Sequence, residues 1–117
     1  MDEGVYDLYA EGRRHLDAGE YLAAIPPLEA ARDRSPASGS IRELLALAYL
    51  RARRFRDALP EAEAAIEAAP NDHYAYYLQG RARQGVGDIA GARGSYRLAT
   101  WLRPADPAYA RALADVS

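Results

Sequence analysis

The side chains that most often carry catalysis or bind metals are scarce in this sequence. It contains two histidines, His15 and His73, and no cysteine. A catalytic site needs several titratable groups that converge on one point, and no pair of residues here has the spacing of zinc ligands. We therefore predict neither an enzyme nor a metal site. We interpret His15 as a packing residue and His73 as a solvated or helix-terminal one.

The stretch GVGDIA, from Gly85 to Ala90, fits the G-x-G-x-x-A pattern of dinucleotide-binding loops. In those loops the glycines lie between a strand and a helix, where the backbone approaches a pyrophosphate. The residues on both sides of this stretch instead have the composition of helices. We therefore predict a turn between two helices and no cofactor.

The densest group of basic residues is RARRFRD, from Arg51 to Asp57. Cations at the end of a helix interact favourably with its carbonyl dipole, which is a sufficient structural role. A local phosphate or RNA site is the minor alternative, because no extended basic face is interleaved with aromatic residues. Over the whole chain 17 acidic residues outnumber 15 basic ones, and the net charge of -2 predicts no nucleic-acid partner.

These residues belong to a chain whose composition favours helices. Its 117 residues suit a single domain, 1–117, and 26 of them are alanine, the strongest helix former. The acidic N-terminal segment lacks the parts of a secretory signal, and no apolar run reaches the roughly 20 residues that span a bilayer. We expect an all-α, cytoplasmic protein with no membrane partner.

A period of 34 residues organises the chain, and it is clearest in the prolines Pro36, Pro70 and Pro104. Small and large apolar residues keep the same step, as expected where two antiparallel helices approach closely. The sets are Gly12, Ala46 and Gly80; Ala24, Ala58 and Ala92; Ala31, Ala65 and Ala99; and Tyr21, Phe55 and Ile89.

Each 34-residue unit has the pattern of a helix, a short turn, a second helix and a proline-ended turn. The units span residues 5–38, 39–72 and 73–106, and a short helical segment, 107–117, follows with Pro107 at its start. Pro26 and Pro60 occupy the same position in the first two units. We predict that they lie in the first turn or so of the second helix, where backbone donors are partly unpaired.

This pattern of small, aromatic and proline positions resembles the tetratricopeptide repeat (TPR) family over residues 5–106. The resemblance implies a right-handed superhelical α-solenoid of three helix-turn-helix repeats plus a short C-terminal capping helix. Leu8 and Arg42 stand where the family often has a tryptophan or another large group. Arg53 replaces the turn glycine, so we expect a less tight turn in the second repeat.

The resemblance also implies that the first helix of each repeat lines a concave groove, which holds a peptide or a helix of another protein. Helical spacing selects the face of these helices that packing does not need. Tyrosine and arginine on that face favour a partner with acidic and apolar groups, unless the tyrosines only fill the inner curve. The candidate partner-binding residues are Tyr6, Tyr9, Arg13, Glu43, Leu47, Arg51, Tyr74, Tyr77 and Arg81.

Some members of the family bind the acidic C-terminus of heat-shock chaperones through a clamp of lysine and asparagine. At the matching positions this chain keeps one basic group, so the sequence argues against that partner and favours an adaptor for another segment. The matching positions hold Tyr9, Arg13, Leu44, Tyr74 and Leu78.

A second hypothesis is a structural scaffold that self-associates through its C-terminal end, as a homodimer. Its motivation is the large apolar residues near that end, Trp101, Leu113 and Val116. We expect Trp101 to pack under the terminal segment. The alternative is that Trp101 lies in the self-association surface.

Overall fold

The computed structural model describes residues 2–117, and this part of the chain forms seven α-helices and no strand. The all-α class predicted from the sequence is confirmed. The helices are α1 (Glu3–Asp17), α2 (Tyr21–Arg34), α3 (Gly39–Arg51), α4 (Phe55–Ala68), α5 (His73–Gly85), α6 (Ile89–Leu102) and α7 (Pro107–Asp115).

The first helix of each pair begins at a short polar side chain. Ser38, Asp72 and Asp106 recur at the repeat period, and each accepts a hydrogen bond from a backbone N–H in the first turn of the helix that follows. Asp2 does the same for α1, with 2.8 Å between its carboxylate and the Val5 nitrogen. These caps satisfy donors that a helix leaves unpaired, so they fix where each pair starts.

The helices stack in chain order, so that α1 with α2, α3 with α4, and α5 with α6 form successive pairs. The first helices also contact one another, α1 with α3 and α3 with α5. α7 packs on α6 and covers part of one end of an elongated molecule of 42 × 25 × 22 Å. The stack therefore positions α1, α3 and α5 side by side.

The two helices of a pair approach closely where the sequence predicts small residues. In the first pair, a β-carbon on Gly12 would overlap the buried side chain of Leu28. The third pair repeats this arrangement with a glycine against a buried tyrosine, and the middle pair has two fully buried alanines at the equivalent positions. In the first and third pairs a large side chain fills the space that the glycine leaves open. The combinations are Gly12 with Leu28, Ala46 with Ala62, and Gly80 with Tyr96.

The turn inside each pair has the same backbone conformation three times. Gly19, Arg53 and Gly87 have φ angles of 76°, 61° and 89°, in the left-handed region. In the second turn the Arg54 N–H donates to the Tyr49 carbonyl over 2.8 Å, and the two glycine turns have the equivalent bond. The expectation of a less tight turn at Arg53 is therefore wrong, because the arginine adopts the conformation that glycine has elsewhere.

Replacing Arg53 with glycine is expected to stabilise the protein. A residue with a β-carbon in the left-handed region costs about 1–2 kcal/mol. The larger chain entropy of glycine and the loss of the Arg53 guanidinium, which lies 5.2 Å from the Phe55 ring centre, offset part of this gain. We expect the free energy of unfolding in urea to rise by about 0.5–1 kcal/mol. Arg53→Ala is the control, since it keeps the β-carbon, and equal stability of the two variants would contradict the prediction.

Pro26, Pro27 and Pro60 lie inside the second helices rather than in their first turns. α2 begins at Tyr21 and α4 at Phe55, so Pro26 and Pro60 are each the sixth residue of a helix. The predicted position is wrong because each second helix starts directly after the tight turn. Pro26 and Pro60 are exposed, so each leaves a carbonyl without its helical donor on the solvent side of the helix.

Within residues 2–117, no helix combines the length and the apolar character that a bilayer crossing requires.

Candidate functional site

The side-by-side arrangement of α1, α3 and α5 forms a pocket of about 360 Å³. All three helices contribute to it, and five of the nine predicted groove residues line it. We call it the groove pocket. It is lined by Tyr9, Arg13, Ser40, Glu43, Leu44, Leu47 and Tyr74.

The α1 wall of the groove pocket carries an arginine that is held by a tyrosine of the preceding turn. The Arg13 guanidinium donates to the Tyr9 hydroxyl over 3.2 Å, and this hydrogen bond raises the pKa of Arg13. The same pair recurs in α5, where Arg81 donates to the Tyr77 hydroxyl over 3.0 Å. Both arginines are exposed. Each tyrosine therefore positions a guanidinium that can bind a carboxylate in fork geometry.

The α3 wall carries Glu43, whose carboxyl group meets that of Asp72. The Oε1 atom of Glu43 is buried, and no conventional donor in the described part of the chain reaches it. Burial, and then the hydrogen bond with Asp72, raise the pKa of Glu43 to about 8. Asp72 is fixed in place because it caps α5, accepting from the Tyr74 nitrogen over 3.1 Å. Two acids can share a hydrogen bond only when one is protonated, so this pair holds a proton at neutral pH.

Tyr74 lies where charges from neighbouring helices meet. Burial and the nearby Glu43 carboxylate raise the pKa of its phenol, while Arg51 and Arg81 act in the opposite direction. The phenol of Tyr74 also contributes to the raised pKa of Arg13 on α1. The groove pocket thus combines tyrosine surfaces with a cation on α1 and the Glu43 carboxyl group of α3, next to the Asp72 cap of α5.

A protein-family model described as tetratricopeptide repeat matches residues 9–73 and, in a second placement, residues 44–110. The chain belongs to this family. Its three helix pairs with a capping helix are the TPR-type solenoid that the sequence predicts. No curated protein matches the sequence at a significant level.

Solved TPR structures superpose on nearly the whole chain. The first TPR of Spaghetti (RPAP3), bound to the HSP90 peptide SRMEEVD, has a TM-score of 0.92 at 22% identity, covering 99% of this chain and 92% of that one. The Sgt2 TPR domain from Aspergillus fumigatus has a TM-score of 0.89 at 25% identity, with coverages of 98% and 78%. MamA from Desulfovibrio magneticus RS-1 has a TM-score of 0.91 at 26% identity, with coverages of 96% and 63%. These likenesses confirm the TPR fold.

In the third TPR, Tyr77 belongs to an aromatic cluster next to α7 rather than to the groove pocket. The centre of its ring lies 5.9 Å from that of Tyr96 and 5.2 Å from that of Tyr109. Tyr77 also packs on the buried cluster that joins α6 to the C-terminal segment. Together with Arg81 it lines a second cavity of about 250 Å³ beside α7. Tyr77 therefore helps to pack this end of the solenoid although it is only partly buried, and Arg81 beside it is exposed. The partner-binding role of both residues stays a prediction.

Tyr6 and Arg51, also predicted for the groove, do not line the groove pocket. Tyr6 is exposed on α1, almost one turn before Tyr9. Arg51 lies at the turn end of α3, with its guanidinium 5.6 Å from the centre of the Tyr21 ring. It also donates to the Tyr21 hydroxyl over 3.4 Å. Its contact with α2 holds the side chain near the turns of the first two repeats, and its part in partner binding stays a prediction.

Trp101 is 78% exposed and does not pack under the C-terminal segment. Val116 is buried against Tyr96, and Leu113 packs on the same cluster. The expectation that Trp101 is covered is therefore wrong. The three residues predicted for self-association do not form one surface either, because α7 and the residues after it turn their apolar side inward onto α6.

Each histidine contacts one polar side chain through its Nδ1 atom. His15 Nδ1 lies 3.1 Å from a carboxylate oxygen of Glu20, and His73 Nδ1 lies 2.6 Å from the Tyr109 hydroxyl. The second contact links the start of α5 to α7. Over residues 2–117, no three metal-ligating side chains converge.

The sequence does not reveal that Asp72 is the neighbour of Glu43. Its place in the 34-residue period, together with Ser38 and Asp106, could have identified it as a helix cap. Nothing in the repeat pattern links it to Glu43, because no helical or repeat spacing connects the two. The register mates of Glu43 are Tyr9 and Tyr77, so the carboxyl pair occurs once in the solenoid.

Proposed function

We propose that this chain is a non-enzymatic protein-interaction module, an adaptor that holds a peptide or a helical segment of another protein in its groove pocket. The observation that carries this proposal is the groove pocket itself, to which the first helices of all three repeats contribute. Its lining combines tyrosine faces, leucines and a few charged groups. Concave sites with this mixture favour polypeptide and other large ligands over bare ions.

Two similar structures support a polypeptide ligand. The first TPR of RPAP3 is described with an HSP90 peptide, and the second with an HSP70 peptide. The residues of this chain favour a different sequence. At the positions matched to a chaperone clamp, Arg13 is the basic group, and Leu78 is buried in the core. We therefore propose a partner segment that is not a chaperone C-terminus, with carboxylates for Arg13 and Arg81 and apolar groups for the tyrosines and Leu47.

The test is affinity capture from an extract of the native host, with each captured protein quantified by mass spectrometry. The variant replaces both Arg13 and Arg81 with alanine. A hydrogen bond to a charged group contributes about 1.5–3 kcal/mol, so losing two should lower recovery of a true partner at least about tenfold. The thermal melt should change little, because both arginines are exposed and each bonds to a tyrosine of its own helix.

The matched control replaces Arg56 and Arg97, which are exposed on the second helices α4 and α6. It removes the same charge from the other side of the solenoid and should capture the same proteins as the wild type. Equal recovery with both double variants would show that the groove pocket does not hold the partner.

A further inference from the structure

The Glu43 carboxyl group lines the groove pocket, and the Asp72 carboxyl group is its neighbour outside the lining. Two neighbouring carboxyl groups are unfavourable unless a proton or a cation compensates their charge. Among the ion pairs of residues 2–117, none involves Glu43 or Asp72. The Oε1 atom of Glu43 is buried without a conventional donor, and the helix cap prevents Asp72 from turning away. The free protein therefore relieves the contact with a proton, and a cation of suitable reach could replace it.

Resting on the proposed function, we infer that the partner segment inserts a basic side chain, lysine or arginine, into the groove pocket, where its cation replaces the proton that Glu43 and Asp72 share. The pocket volume of about 360 Å³ lies at the low end of ligand pockets, which suits one long side chain. Tyr9 and Tyr74 line the same pocket, and aromatic faces attract cations. The leucines of α3 can contact the aliphatic stem of such a side chain.

The charges around the carboxyl pair determine which order of charges the partner segment should have. Arg13 lies on α1, Glu43 on the neighbouring α3, and Arg81 on α5. Across the three first helices the charge therefore alternates from positive to negative to positive. The complementary segment has a basic side chain between acidic ones, and a segment that is only acidic would place a carboxylate against Glu43.

The inference also fixes how affinity depends on pH. The groups that face Glu43 are Asp72 and Tyr74 of the α5 segment and Tyr9 and Arg13 of α1, with Arg51 and Arg81 near Tyr74. In the free protein Glu43 keeps its proton up to a pKa of about 8, so below that pH a bound cation has to displace it. Affinity should rise by up to about tenfold per pH unit from pH 6 to near 8, and then level off.

The first experiment selects binders from a random dodecapeptide phage library with three proteins, the wild type, Glu43→Gln and Glu63→Gln. Glu63 is exposed on α4, so its variant is the matched control. Glutamine at position 43 keeps the shape and can donate its amide to Asp72, so the fold should persist, as a thermal melt would verify. We expect one conserved lysine or arginine, with acidic neighbours, among peptides enriched by the wild type and by Glu63→Gln but not by Glu43→Gln.

The second experiment measures the affinity of one enriched peptide by fluorescence anisotropy. Replacing its basic residue with glutamine should weaken binding to the wild type about tenfold, as expected for one charge-assisted hydrogen bond. The same replacement should have little effect on binding to Glu43→Gln, whose affinity should also lose most of the rise with pH. The peptide replacement and the wild-type pH profile test the inference even if Glu43→Gln does not fold.

The outcomes separate this inference from the proposed function. Enriched peptides that bind the groove but have no basic residue, or whose affinity does not rise with pH, overturn the inference and leave the proposed function standing. If the library yields no peptide and host proteins bind equally to the Arg13 and Arg81 double variant, both fail.

Discussion

Replacing Glu61 with alanine is expected to lower the free energy of unfolding by about 3 kcal/mol. The Glu61 side chain is 6% exposed and accepts from Arg32 over 2.7 Å and from Arg42 over 2.8 Å. Its removal leaves two partly buried guanidinium groups without their shared counter-ion. Breaking a buried ion pair costs far more than an exposed one, because the remaining charge stays in a poorly solvated place. Urea denaturation followed by circular dichroism measures the change.

Two further variants show whether the loss comes from the orphaned cations. Glu63→Ala removes an exposed carboxylate from the same helix and should change stability by less than about 0.5 kcal/mol. Substituting methionine for Arg32 and Arg42 and leucine for Glu61 together should recover most of the loss, since apolar replacement of a whole buried ion pair is often neutral. A triple variant as unstable as Glu61→Ala would argue that the packing of Glu61, not its charge, is what matters.

Leu28→Ala is the second large effect, and we expect it to lower the free energy of unfolding by about 3 kcal/mol. Leu28 is fully buried in the main core cluster and fills the space that Gly12 leaves open on α1. Its truncation removes apolar contacts and leaves a cavity between α1 and α2. Thermal and urea unfolding of the single variant give the size of the effect.

A double-mutant cycle with Gly12→Ala tests whether these two positions share one volume. Gly12→Ala alone should cost about 1–3 kcal/mol, because the new methyl group overlaps Leu28. In the double variant that methyl group occupies part of the space that Leu28 vacates. The combined loss should therefore be smaller than the sum by 1 kcal/mol or more, roughly the coupling seen for residues in contact. Strictly additive losses would mean that the helices move apart instead.

The sequence predicts the helix pairs well because their packing repeats. The positions of Gly12, Ala46 and Gly80 follow from the 34-residue period, and the size of each partner varies inversely with them. Comparing the small positions with Leu28, Ala62 and Tyr96, which follow each by the same distance, would have revealed the contact before any coordinates. Close packing requires each small residue to face a side chain that fits it, so the contact leaves a pattern in the sequence.

The polar contacts between repeats could not be predicted in this way, because they do not recur. The register mates of Glu61 are Pro27 and Ser95, which have no common chemistry. Ser95 is also buried, but it donates to the side-chain amide oxygen of Gln79 over 2.8 Å and accepts from the Arg83 guanidinium over 3.0 Å, so a network without a carboxylate replaces the ion pairs. The pairing of Glu43 with Asp72 also occurs only once among the repeats. Each depends on side chains from different helices that only the folded chain brings together.

Glu61 also has a consequence for how the solenoid opens. The two arginines that Glu61 binds belong to α2 and α3. Glu61 lies on α4 of the second repeat, so its carboxylate links the second repeat to the first. In a linear array each repeat is held by its neighbours, and this tie raises the coupling at one boundary only. We expect the first two repeats to exchange their amide hydrogens as one cooperative unit, with the third opening more often. Such an opening would take Tyr74 and Asp72 away from Glu43. Partner binding in the groove pocket would therefore decrease whenever the third repeat opens.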